Sequence, residues 1–146
     1  MAVVFNNNCG GFFSCTKSPF FLLAEGSGSI AKQTISVLVA DSNRHLIKGL
    51  SGRKDFGKYN GMLFVFPTVD RYVMVMRDMN FAIDIVWLNN YRIVDMAPNV
   101  KPEPGVSSLN LRQYQPRASS DMVLELPALF TSKNKLKIGD SVTILR

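Results

Sequence analysis

A mainly β domain, a compact antiparallel sandwich or small barrel with one or two short helices, is the fold this sequence predicts, and three features predict it. Short runs of β-branched and aromatic residues recur along the chain, Gly-, Asn- and Pro-rich turns separate them, and one stretch alone combines helix caps with an apolar stripe. The chain has 146 residues, 47% of them hydrophobic and 19% charged. That is enough to bury a core without help from metals or disulfides.

Taken in order, residues 1–30 read as an extended arm and linker, and 31–146 as a single β domain. The arm holds three consecutive asparagines (6–8), paired glycines (10 and 11), Pro19 and a Gly-Ser-Gly-Ser run at 26–29. Such content raises the entropy of ordering. Phe5, Phe12, Phe13, Phe20 and Phe21 lie along it as candidate docking anchors. Rings alone do not offset the ordering cost, so strand addition to a sheet edge on a neighbouring subunit is expected to accompany them.

From Thr34, alternation of Ile35, Val37 and Val39 with polar positions predicts a half-buried strand. Asp41 or Ser42 then caps a short helix from Asn43 to about Gly49, whose stripe is Leu46, Ile47 and Leu50. After a Gly/Lys/Asn-rich loop, strands are expected at Met62–Phe66, Tyr72–Met76, Ile83–Leu88 and Tyr91–Met96. The Asn89-Asn90 pair tolerates the positive φ of a tight hairpin. Four prolines make Pro98–Pro116 a long loop, and Met122–Leu126 and Ser141–Leu145 close the chain as strands.

Net charge is +6, from 17 basic and 11 acidic residues. The excess sits in residues 41–60 and 131–146. Without a basic stripe interleaved with aromatics, this reads as solvated surface and argues against a nucleic-acid partner. No apolar run approaches the roughly 20 residues of a membrane span, and the N-terminus lacks a secretory signal pattern, so an intracellular protein is expected. Cys9 and Cys15 read as free thiols, and with His45 the single histidine there is no metal-ligand spacing. The common nucleophile and phosphate-loop motifs are also missing, and no cofactor is expected.

Two carboxylates inside apolar runs stand out, Asp84 in FAIDIVWL and Glu125 in MVLELP. An unpaired buried carboxylate is costly, so Asp84 is expected within salt-bridge distance of Arg53 or, failing that, Arg77. The simplest reading is an ion pair that pins the fold. The other is a ligand-facing constellation of Asp84 and Glu125 with Arg53 and Arg77. Tyr72, Met74, Met76, Met79 and Trp87 read as core.

The ordered blocks Gly49-Leu-Ser-Gly-Arg53, Gly61-Met-Leu-Phe-Val-Phe66, Met76-Arg-Asp78, Asp84-Ile85, Val123-Leu-Glu-Leu-Pro-Ala128 and Gly139-Asp-Ser-Val142 resemble the Domain of Unknown Function 192 family of small prokaryotic and phage-borne proteins. The resemblance runs from about Ile35 to Val142, leaves the arm outside, and implies an antiparallel β fold with one short helix carrying the first block. It implies no activity. Departures occur at Met74 and Val75, where the family pattern has an aromatic pair, at Ala82 for a proline and at Leu129 for a glycine.

Two functions follow as expectations. The first is a non-catalytic interaction or structural module, a subunit of a larger homo- or hetero-oligomeric assembly such as a phage particle, docking on other protein chains through its arm. The alternative is a small polar ligand-binding or hydrolytic domain using Asp84, Glu125, Arg53 and Arg77.

Overall fold

The computed structural model describes the backbone of Ala2–Asn6 and residues 34–145. Eight strands form one sheet. They are β1 (Ala2–Asn6), β2 (Thr34–Ser36), β3 (Leu38–Ala40), β4 (Met62–Asp70), β5 (Ile83–Asn89), β6 (Arg92–Val100), β7 (Ser120–Pro127) and β8 (Ser141–Leu145), ordered β2-β1-β8-β6-β5-β7-β4-β3. All described pairings are antiparallel except β3 with β4. The two outermost strands, β2 and β3, are joined through the single buried residue Val37. Chain continuity, not a hydrogen-bonded ladder, therefore links the ends of the curled sheet.

The mostly β class expected from the sequence is what the chain adopts. Helix α1 (Asn43–Lys48) starts where the caps place it: the Ser42 hydroxyl accepts from the His45 N–H at 3.4 Å, and Gly49 ends the helix at φ 48°. The hairpin between β5 and β6 turns at Asn90 and Tyr91, both at positive φ. Tyr72–Met76 is not a strand, because its neighbour is a loop; only Met74 bridges, to Tyr114. β6 runs on through Pro98 to Val100, past the loop start read from that proline. A proline is tolerated there because β8 meets β6 at Arg92 alone, leaving the far end of that edge without a ladder. A second helix, α2 (Phe130–Lys133), follows β7 and carries no cap signal in the sequence.

The arm reading changes at its start. Ala2–Asn6 pairs along its length with β8, from Ala2 opposite Leu145 to Asn6 opposite Ser141, and with β2 on its other side. Strand addition thus occurs inside this chain for those five residues, because the β-branched AVVF run precedes the Asn/Gly texture. Cys9, Cys15, Phe12, Phe13, Phe20, Phe21 and the Gly-Ser run lie outside the described residues.

The sheet is packed on both faces, which is why β5 reads as a nearly unbroken apolar run. One face packs Leu63, Val86, Leu88, Leu124 and Leu126 against Phe130 of α2 and Leu136. The other packs Phe64, Ile85, Trp87 and Val123 under Leu50 after α1, with Phe56, Met74, Met76 and Met79. Trp87 and Met76 are core, Tyr72, Met74 and Met79 are half-buried against them, and the indole N–H donates to the Tyr72 carbonyl at 2.8 Å.

Candidate functional site

Alternation along β5 and β7 decides what the two strand carboxylates can do. Asp84 lies opposite Leu126, on the face covered by α2, whereas Glu125 lies opposite Ile85 and Met62, on the face covered by α1. They do not share a site.

Asp84 is fully buried and saturated. Its Oδ1 accepts from the backbone N–H of Asn99 at 2.7 Å and of Leu129 at 2.9 Å. Its Oδ2 accepts from the backbone N–H of Thr131 at 2.7 Å and from the Thr131 hydroxyl at 2.6 Å. These donors come from the irregular end of β6 and the start of α2, so one carboxylate ties both to β5. Backbone amides and a hydroxyl supply what an arginine was expected to supply. Neither arginine is among the donors: the Arg77 guanidinium donates to the Ile47 carbonyl at the end of α1, and Arg53 is exposed, with only its backbone carbonyl accepting from Asn80 at 2.8 Å.

Glu125 is buried without such partners. Its Oε2 has no hydrogen-bond partner, and desolvation pushes its pKa from the usual 4.5 up to about 8. At neutral pH the group is therefore predominantly the neutral acid.

The arginine half of the expected constellation does border a concavity. A cleft of about 300 Å³ lies between the Gly52 turn, residues 76–80 and the loop that carries Glu103 to Leu111. Two of the sequence blocks meet here, Gly49–Arg53 and Met76–Asp78, held together by the Ser51 hydroxyl on the Arg77 carbonyl at 2.8 Å and the Gly52 N–H on the Asp78 carbonyl at 2.8 Å. Three turns with left-handed backbone surround it: Gly52 at φ 74°, Asp78 at 53° and Gly105 at 77°. For a non-glycine residue such as Asp78 this conformation is uncommon and clusters at functional sites. Glu103 lines the cleft with Oε2 accepting from the Arg112 N–H at 3.2 Å, while its Oε1 is out of water with no partner. A hydrogen-bond donor from a ligand would satisfy that oxygen.

Sequence reasoning missed Glu103 and Thr131, and it noted Leu129 only as a departure from the family pattern, not as an amide donor to Asp84. It also missed the Asp95–Arg117 ion pair at 2.6 Å, in which Asp95 additionally accepts from the backbone N–H of Arg117 at 2.7 Å. The signal for Asp95 was the one used for Asp84, an acid inside an apolar strand. Hydrogen bonds from Arg117 hold the Asp95 carboxyl below its usual range. Among the described residues no cluster of His, Cys, Asp and Glu could hold a metal ion, and no helix is long and apolar enough to cross a membrane.

A family model, DUF192, described as "Uncharacterized ACR", matches residues 25–144. The chain belongs to the DUF192 family. The match includes β2 to β8 in nearly their whole length and leaves β1 outside. No curated protein matches the chain. Among solved structures it is similar to a protein of unknown function from Novosphingobium aromaticivorans DSM 12444, with a TM-score of 0.73 and 19% identity, covering 98% of this chain and 84% of that one. A second, from Sinorhizobium meliloti 1021 and described as a "putative transcription regulator", has a TM-score of 0.72 and 19% identity over 97% of this chain and 91% of that one. At these identities the likeness is one of fold. Of the three DUF192 departures read in the sequence, Leu129 acquires a physical meaning: it stands at φ 68°, where a glycine is unstrained.

Proposed function

We propose that this DUF192 chain is a non-catalytic binding module that takes a small polar ligand in the cleft between the Gly52 turn, residues 76–80 and the 103–111 loop. The observation that carries the reading is Glu103, which lines the open polar cleft and keeps one carboxylate oxygen, Oε1, without a donor. The nearby charges, Arg77 with Asp78 and Glu103, suit a ligand carrying hydroxyl or ammonium donors rather than a polyanion. Reaction chemistry has less support. Asp84 spends its acceptor capacity on four internal donors, and Glu125 is buried on the other face and neutral at pH 7. The wider proposal, docking on other protein chains through Phe12, Phe13, Phe20 and Phe21, draws its support from the sequence alone.

Isothermal titration with polyols, simple amines and free amino acids tests the cleft, with Glu103→Ala as the comparison. One of these classes should bind the wild-type chain and bind Glu103→Ala at least tenfold more weakly, with unchanged circular dichroism. Absence of binding at millimolar concentration across all three classes would overturn the reading, as would equal binding by the variant.

A further inference from the structure

A second concavity lies on the α2 side, an open groove of about 470 Å³ between β6, α2 and the turn at 135–138. Its lining is mainly apolar: Met96 and Leu136 form the floor, and the exposed Pro98 and Ile138 the walls, Ile138 with 53% of its surface in water. The polar groups around it are already used. The Thr131 hydroxyl donates to Asp84, the Ser132 hydroxyl to the Leu129 carbonyl at 3.0 Å, and the Arg117 guanidinium to Asp95. The Lys137 backbone N–H donates to Asp140 at 2.8 Å.

The side chains of Lys135 and Lys137 are different. Both are exposed at the groove, and neither lies within salt-bridge distance of a carboxylate among the described residues. Two cations therefore border an apolar trough that offers little other polar recognition.

An extended peptide fits poorly here. Strand addition needs backbone N–H groups on the β6 edge, but the Met96 N–H donates to its neighbour Asp95 at 2.9 Å, Pro98 has none, and the Asn99 N–H is committed to Asp84. The occupant must bring apolar surface and negative charge without asking for backbone partners.

We propose that this groove binds a single-chain aliphatic carboxylate of the fatty-acid class, its tail on Met96, Pro98, Leu136 and Ile138 and its carboxylate between Lys135 and Lys137. The size agrees: at on the order of 30 Å³ per heavy atom the groove accommodates roughly fifteen, a medium-length chain. The site is separate from the cleft at Glu103 and stands or falls independently of it.

Dodecanoate below its micelle concentration is the probe, followed by isothermal titration and by methyl NMR of Met96 and Ile138. Dodecanoate should bind and shift both methyl signals. The double variant Lys135→Glu, Lys137→Glu, which alters exposed side chains only, should bind at least tenfold more weakly while keeping its circular dichroism. Dodecyltrimethylammonium, with the same tail and opposite charge, should also bind at least tenfold more weakly. No binding of the monomer would overturn the proposal. So would equal binding of the cationic amphiphile, methyl shifts confined to Met76 and Met79 at the other cleft, or binding to phosphatidylglycerol vesicles without binding of monomeric dodecanoate.

Discussion

Asp84 and Glu125 sit on neighbouring strands, one residue out of step, and the chain treats them in opposite ways. On the α2 face, two irregular segments turn their backbone amides toward Asp84, so the carboxylate organises the loops around it. On the α1 face, the surroundings of Glu125 are regular strand, whose amides are consumed by β4 and β5. Regular sheet has no amides to spare, and a carboxyl placed in it is pushed toward its neutral form. Whether a buried acid is an anchor or a protonated guest is thus decided by the regularity of its surroundings, not by its burial.

The largest expected effect tests the Glu125 side of this contrast. With its pKa raised from 4.5 to about 8, Glu125 leaves stability at its fullest below about pH 4.5 and lowers it as pH rises through about 8. The slope is up to about 1.4 kcal/mol per pH unit, on the order of 5 kcal/mol across the window. Asp95 works in the other direction: its lowered pKa contributes stability above the usual 3.8 that is lost as pH falls through the lowered value. Urea midpoints measured from pH 3 to 9 should therefore fall at both ends. Glu125→Gln should flatten the alkaline limb and Asp95→Asn the acid one. Parallel profiles for wild type and Glu125→Gln would break the contrast.

On the other face, Asp84→Ala strands three backbone N–H groups and a hydroxyl, and should cost on the order of 3–5 kcal/mol in chemical denaturation. Hydrogen exchange should rise at the amides of Asn99, Leu129 and Thr131 together. A smaller effect of opposite sign sharpens the point. Leu129→Gly should stabilise the chain by about 1 kcal/mol, because it relieves the left-handed conformation at an exposed residue while keeping the amide that Asp84 holds. A loss of stability in that variant would mean that the Leu129 side chain matters more than its backbone.

Much of the architecture was legible because it is written in local signals. Ser42 and Gly49 bound α1, and the apolar runs around Asp84 and Glu125 marked two central strands. What escaped the sequence depends on contacts distant along the chain. Tyr72–Met76 has strand texture but faces a loop, and Pro98 stops a strand only where a partner needs its amide. The partners of Asp84 are backbone groups 15, 45 and 47 residues away, and no residue type advertises a free amide. The arginines were sought because side-chain charge is the partner a sequence displays. Arg77 did lead to a cleft, but Glu103, from a loop read only as a connector, supplies the atom that matters there.

The pairing of β1 with β8 also sets the order in which this chain can be completed. Ala2 lies opposite Leu145, so β1 has to wait for β8, which is made after every other described strand. During synthesis the AVVF run of β1 has no β8 to join, and β2, its other neighbour, has no ladder with β3 across Val37 to fall back on. The central strands β5, β6 and β7 can assemble earlier, since β5 and β6 form a hairpin and β7 joins it within the same nascent stretch. Closure of the sheet is then a late event, because it joins described residues separated by almost the whole described chain.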